Sequence, residues 1–109
     1  MEDRNSGFRD PVIELKLISY IIRKDFRVID KINREFFSIK AYKLFYDIIF
    51  SARTTFPKEV FKEMINERIA TPETVTPFLL KIFQEKMEGL QSKNIETLID
   101  KLKKLFELR

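Results

Sequence analysis

Helix-starting residues divide the whole chain into segments, and this feature limits the possible fold more than any other. Asp, Ser, Thr or Pro residues that suit the beginning of a helix stand before segments in which apolar residues recur every three or four positions. No segment alternates apolar and polar residues for long enough to form a β-strand. The sequence therefore predicts an all-α fold, a compact bundle of about six helices with short connections.

Capping residues and turn residues predict where the helices begin and end. Asp10 suits the N-cap and Pro11 the first turn of a helix that ends near Lys24. We expect Gly89 to adopt the left-handed conformation that terminates helices. The other predicted helices cover residues 26–33, 39–52 after an N-cap at Ser38, 57–68, a single turn at Thr71-Pro72, 77–88, and a last helix after Ser92 or Asn94.

The chain has the length and the apolar content of one domain. It has 109 residues, of which 44% are hydrophobic and eleven are Phe. We expect residues 1–9 to be a flexible leader and residues 10–109 to be a single helical domain. The first helix carries a wide apolar stripe and is therefore predicted to be central. The predicted core residues are Leu17, Ile21, Phe45, Ile48, Phe61 and Ile82.

Missing residue types exclude most catalytic chemistry. Without Cys or His, thiol catalysis, imidazole bases and the usual zinc sites are impossible, and two glycines are too few for a phosphate-binding loop. We therefore expect no enzymatic activity of the domain itself, no cofactor and no metal. The start of the chain has no apolar stretch of a secretory signal, and the longest uncharged apolar run, residues 17–22, is too short to span a bilayer. These features predict a cytoplasmic protein without membrane contact.

Three surface patterns have both a functional and a structural interpretation, and the structural one is favoured for each. The formal net charge of +4 is spread over interspersed signs, so a basic cluster is expected to be a solvated face rather than a phosphate-binding site. The basic cluster consists of Arg23, Lys24, Arg27, Lys31 and Arg34. The aromatic series is interpreted mostly as core rather than as a base-stacking platform, and consists of Phe36, Phe37, Tyr42, Phe45, Tyr46 and Phe50. Three carboxylates are interpreted as an exposed helix face rather than a cation site: Glu59, Glu63 and Glu67.

The last predicted helix is the most regular, and two roles are open for it. Its apolar residues form a narrow stripe near heptad spacing, which either closes the core of the bundle or docks on a partner protein. Leu108 lies off this stripe, and the basic rim is expected to consist of Lys101, Lys104 and Arg109. The predicted partner-binding residues are Leu98, Lys101, Leu102, Lys104, Leu105, Phe106, Leu108 and Arg109.

Three short patterns resemble a helical domain of the replication machinery. Residues 13–22 fit x-E-x-x-L-L-x-x-L-L, residues 32–37 fit I-x-x-x-x-F, and residues 41–49 fit h-x-x-L-F-x-x-I. This series resembles the C-terminal helicase-binding domain of DnaG-type primases, and the N-terminal domain of DnaB-family helicases that shares its fold. Residues 95–104 are similar to the last primase helix, L-x-x-x-I-x-x-L-K, whereas residues 66–73 lack the glycine turn of the helicase domain. The primase family is therefore favoured.

The resemblance implies a non-catalytic interaction domain with a fold like the DnaB N-terminal domain. Such a domain binds the hexameric replicative helicase, couples priming to unwinding within the primosome, and contacts nucleic acid only indirectly or weakly. It is expected to be monomeric alone. The primase family continues into a helical hairpin that makes the main helicase contact, whereas seven residues follow Leu102 here. The alternatives are the self-associating collar of a DnaB-family helicase and a small basic nucleic-acid-binding domain.

Overall fold

Residues 8–109 are described by a computed structural model and contain α-helices and short 3-10 helices, with no β-strand among them. The predicted all-α bundle is confirmed. Residues 1–7 of the predicted leader lie outside the described residues. The α-helices are α1 (Pro11–Arg23), α2 (Lys40–Ala52), α3 (Lys58–Arg68), α4 (Thr76–Gln84) and α5 (Ser92–Leu108), and the 3-10 helices are Phe26–Lys31, Arg34–Phe36 and Pro72–Thr74.

Helix α1 lies at the centre of the bundle, as its wide apolar stripe predicts. It begins at the predicted cap, because Asp10 Oδ1 accepts hydrogen bonds from the backbone N–H groups of Val12 and Ile13, at 3.1 and 3.2 Å. It packs against α2, α4 and α5. Its fully buried apolar residues are Leu17, Ile18, Ile21 and Ile22.

Aromatic rings of α2 and α3 form the other part of the core. The Phe45 ring is fully buried, and its centroid lies 5.3 Å from that of Phe61 and 6.4 Å from that of Tyr42. The predicted core residues are all buried, so this prediction is confirmed for Leu17, Ile21, Phe45, Ile48, Phe61 and Ile82.

The second predicted helix, residues 26–33, is wrong in both type and length. The chain instead forms the 3-10 helix Phe26–Lys31 and then extends at Ile32. Asn33 does not end this helix. Its side-chain oxygen accepts a hydrogen bond from the backbone N–H of Glu35 at 2.9 Å and so begins the next 3-10 helix.

Helix α4 ends at Gln84, earlier than the predicted end at Glu88. A side chain of α1 binds two carbonyl oxygens at this end of the helix. Arg23 Nη1 donates to the carbonyl oxygens of Ile82 and Glu85, at 2.9 and 2.7 Å. Glu85 is already extended, with φ −63° and ψ 134°. Gly89 is left-handed as predicted, at φ 79°, but it lies in the loop after the helix rather than at its cap.

The expected cap of α2 at Ser38 is wrong, and a carboxylate that the sequence did not predict as buried binds the residues just before the helix. Ser38 is not the N-cap; Ile39 is, and it has no side-chain oxygen to offer. Glu14 of α1 is fully buried, and its Oε1 accepts from the backbone N–H groups of Ser38 and Ile39, at 2.7 and 3.3 Å. Its Oε2 accepts from the Ser38 hydroxyl at 2.5 Å. Glu14 of α1 therefore binds the two residues that lead into α2, and no side chain among residues 8–109 caps the first N–H groups of the helix itself. A negative charge at this position also suits the helix dipole.

The buried tyrosine next to this link predicts a loss of stability in alkali. Burial raises the pKa of Tyr42 to about 12, and the carboxylates of Glu14 and Glu85 act in the same direction. The tyrosine pKa in an unfolded chain is about 10, so the native state holds this proton more tightly. Stability that is fully present below about pH 10 is therefore lost as the pH rises towards about 12.

Replacing Tyr42 by Phe is expected to remove this part of the decline, about 1 kcal/mol of unfolding free energy between about pH 8 and 11. Urea unfolding of the wild type and the Tyr42→Phe variant at both pH values measures it. An equal alkaline decline in the two proteins would show that Tyr42 does not carry the effect.

Candidate partner-binding surface

Helix α5 carries all the predicted partner-binding residues except Arg109, and its N-cap lies one residue before the predicted cap at Ser92 and three before that at Asn94. Gln91 is the N-cap, and its backbone N–H donates to Asn94 Oδ1 at 3.1 Å. Asn94 thus acts from within the first turn, as the third residue of the helix, and Ser92 is already helical. The predicted cap at Ser92 or Asn94 is therefore wrong.

The inner side of α5 belongs to the core of the bundle. Ile95, Ile99 and Leu102 are all buried, and α5 packs against α1. Leu102 is only 1% exposed, which removes it from any surface that a partner protein can reach. Of the two roles open for the apolar stripe, closing the core is the one that these three residues perform.

The last turn of α5 is held against the 3-10 helix Arg34–Phe36. The ring centroids of Phe106 and Phe36 are 5.3 Å apart. Arg109 Nη2 donates to the carbonyl oxygens of Glu35 and Phe36, at 3.4 and 3.2 Å, and the guanidinium lies 5.6 Å from the Phe106 centroid. Arg109 was predicted to lie in a free basic rim; instead it binds backbone carbonyls of its own chain.

Phe106 and Arg109 are half-buried at the contact with the 3-10 helix Arg34–Phe36, and the outer side of α5 presents five of the other predicted residues. Leu98 and Leu105 are half-buried, Leu108 is 60% exposed, and Lys101 and Lys104 are exposed. Leu98, Lys101, Leu105 and Leu108 follow one another at helical spacings of three and four, so they share one side of the helix, and Lys104 flanks them. We call these five residues the α5 outer stripe.

The basic cluster between Arg23 and Arg34 is engaged within the protein. Four of its five cations contact acceptors of this chain, and Lys24 is exposed. The hydrogen bond from Arg27 is the main cause that lowers the pKa of Asp25. This pattern agrees with a solvated, internally paired face. The contacts are Arg23 with the carbonyls of Ile82 and Glu85, Arg27 with Asp25, Lys31 with Glu96, and Arg34 with Glu35 and Asp47.

The aromatic series is mostly core, as predicted. Phe50 is the exception, since it is 54% exposed and stacks on Tyr46 with ring centroids 5.9 Å apart. One exposed ring does not make a platform for successive bases. The series members that are buried are Phe36, Phe37, Tyr42, Phe45 and Tyr46.

The acidic face of α3 shows no metal-binding arrangement. Glu59, Glu63 and Glu67 are exposed. Across residues 8–109, no group of three or more carboxylates is placed so that it could hold a metal ion.

The buried position of Glu14 was not predicted from the sequence, although Glu14 belongs to the first of the patterns that resemble the replication domains. A single Glu within an apolar helix is the signal that could have predicted its burial. Charged residues are buried only where hydrogen-bond or ionic partners surround them.

No protein-family profile, curated protein or solved structure matches this chain. Within residues 8–109, none of the helices has the length and apolar character needed to cross a membrane.

Proposed function

We propose that this chain is a non-catalytic interaction domain of a DnaG-type primase, which binds the hexameric DnaB-family helicase in the cytoplasm. The observation that carries the proposal is the α5 outer stripe. Leu108 is largely exposed and Leu105 is half-buried, beside Lys101 and Lys104, which make no ion pair among the described residues. Apolar side chains grouped with cations on one helix side are typical of a docking surface.

The positions in the structure of the patterns that resemble the replication domains also support the proposal. The first pattern lies in α1 and the third lies in α2, and these two helices pack against each other. The Glu of the first pattern, Glu14, joins them through Ser38 at the start of α2. Two of the patterns of the resemblance thus lie on helices that pack against each other.

The proposed contact is a helix packed into a groove of the helicase. The leucines of the α5 outer stripe bury apolar surface in the groove, and they supply most of the affinity. Lys101 and Lys104 face acidic helicase side chains at the rim, where charges affect the association rate and the choice of partner more than the affinity.

Titration with the replicative helicase of the same organism tests this contact. The double variant Leu105→Asp/Leu108→Asp is expected to bind at least about tenfold more weakly than the wild type, because two charges enter the apolar contact. Isothermal calorimetry measures the dissociation constants. Val60→Asp is the matched control, since Val60 is 44% exposed on α3, away from the stripe, and is expected to leave binding unchanged.

Leu105 is half-buried, so circular dichroism melting of each variant must accompany the titration, and the single variant Leu108→Asp repeats the test at the most exposed leucine. Equal binding of the wild type and both stripe variants would place the contact elsewhere. Light scattering and a DNA mobility-shift assay test the alternatives. A dimer or ring would favour the helicase collar, and salt-dependent DNA binding would favour a nucleic-acid-binding domain.

A further inference from the structure

A second accessible apolar surface lies on another part of the bundle, away from α5. It is a groove of about 500 Å³ between the start of α2, the end of α3 and the segment that leads into α4. Half-buried apolar side chains line it, so they are packed on one side and open on the other. Those that matter here are Ile39, Leu44, Ile69 and Phe78.

The charged residues that line this groove are both basic. Lys40 and Arg68 line it, both are exposed, and no carboxylate is among the lining residues. Neither cation makes an ion pair within residues 8–109, in contrast to the paired basic cluster near α1. A third cation is close, because Lys81 Nζ lies 5.6 Å from the centroid of the Phe78 ring.

We infer that this groove binds a short acidic, amphipathic peptide segment of a partner protein. A bulky apolar side chain of the segment packs on Ile69 and Phe78, and its carboxylates meet Lys40 and Arg68. The two cations belong to different helices, α2 and α3, so each can pair with a separate carboxylate along a peptide. A volume of about 500 Å³ lies within the usual range of clefts that bind small ligands.

This inference is independent of the helicase contact, because none of the groove residues belongs to the α5 outer stripe. Either surface can therefore fail its test without affecting the other.

Selection from a phage-displayed library of random peptides tests the inference without choosing a sequence in advance. The immobilised wild-type chain is expected to enrich peptides that place Asp or Glu beside Leu, Phe or Trp. The most enriched peptide, added to the isotope-labelled chain, is expected to shift the amide signals of Leu44, Ile69 and Phe78 in NMR spectra. Enrichment of basic or uncharged peptides, no enrichment, or shifts confined to other surfaces would overturn the inference.

Charge reversal then tests the two cations. Lys40→Glu/Arg68→Glu is expected to weaken binding of the enriched peptide at least about tenfold, with a loss of the salt dependence seen for the wild type. Lys58→Glu/Lys62→Glu is the matched control, because it reverses two exposed lysines of α3 that do not line the groove. Equal weakening in the two double variants would show a general charge effect and would also overturn the inference.

Discussion

The Glu14→Ala variant is expected to lose about 3–5 kcal/mol of unfolding free energy, because the change leaves three part-buried donors without their acceptor. The donors are the backbone N–H groups of Ser38 and Ile39 and the Ser38 hydroxyl. Glu14 accepts a hydrogen bond from each of them. The variant also removes a negative charge from the start of α2. Urea unfolding followed by circular dichroism at neutral pH measures the loss.

Two further variants separate the buried link from a general effect of removing a charge. Glu63→Ala, on the exposed face of α3, is expected to change the unfolding free energy by less than about 0.5 kcal/mol. Glu14→Gln keeps the size of the side chain and one acceptor oxygen, so we expect a smaller loss than for Glu14→Ala. A loss below about 1 kcal/mol for Glu14→Ala would contradict a stabilising role for its hydrogen bonds to Ser38 and Ile39.

The Phe45→Ala variant is expected to cost about 3–5 kcal/mol, the usual range for removal of a fully buried aromatic ring. The ring contacts Phe61 of α3 and lies near Tyr42, so its removal opens a cavity between two helices. Thermal and urea unfolding of the variant measure the effect. Phe61, which packs against this ring, is itself fully buried and so has little freedom to move into the space.

Phe50→Ala is the matched control for this prediction, because it removes the same ring from the same helix at a position that is 54% exposed. It is expected to cost less than about 1.5 kcal/mol, mainly the stacking contact with Tyr46. Similar losses for the two variants would mean that burial of Phe45 does not determine its contribution.

Local signals predicted most of the fold. Asp10 and Pro11 act within one turn of the chain, so the start of α1 follows from the sequence directly. The periodic apolar residues of α2 predicted which side of this helix is buried, since a helix with one apolar side must turn it inward. Gly89 was predicted correctly because its left-handed conformation depends on its own backbone.

Contacts between distant segments explain what the sequence did not predict. Ser38 has the chemistry of a local cap, but Ile39 is the N-cap and Ser38 binds Glu14 of a different helix. Arg23 binds the carbonyls of Ile82 and Glu85 at the end of α4, which lie far along the chain. Neither effect leaves a local pattern, because each depends on how α1 packs against the other helices.

The same reason explains the mixed result at the candidate surface. Spacing alone grouped Leu102, Phe106 and Arg109 with the exposed leucines of α5. Which side of the helix is covered depends on the neighbouring α1 and on the 3-10 helix Arg34–Phe36. Helical periodicity gives the angular positions of side chains but not the identity of the element that packs against each side.

The attachment of the last turn of α5 has a consequence for the thermodynamics of binding. Arg109 and Phe106 hold that turn on the 3-10 helix Arg34–Phe36, while Ile95 and Leu102 hold the rest in the core. The helix is therefore already ordered before any partner arrives. A partner that docks on it does not pay the conformational entropy of folding a loose segment, so a small contact area suffices for useful affinity. The same preorganisation makes rigid-body association, rather than folding upon binding, the expected mode of recognition.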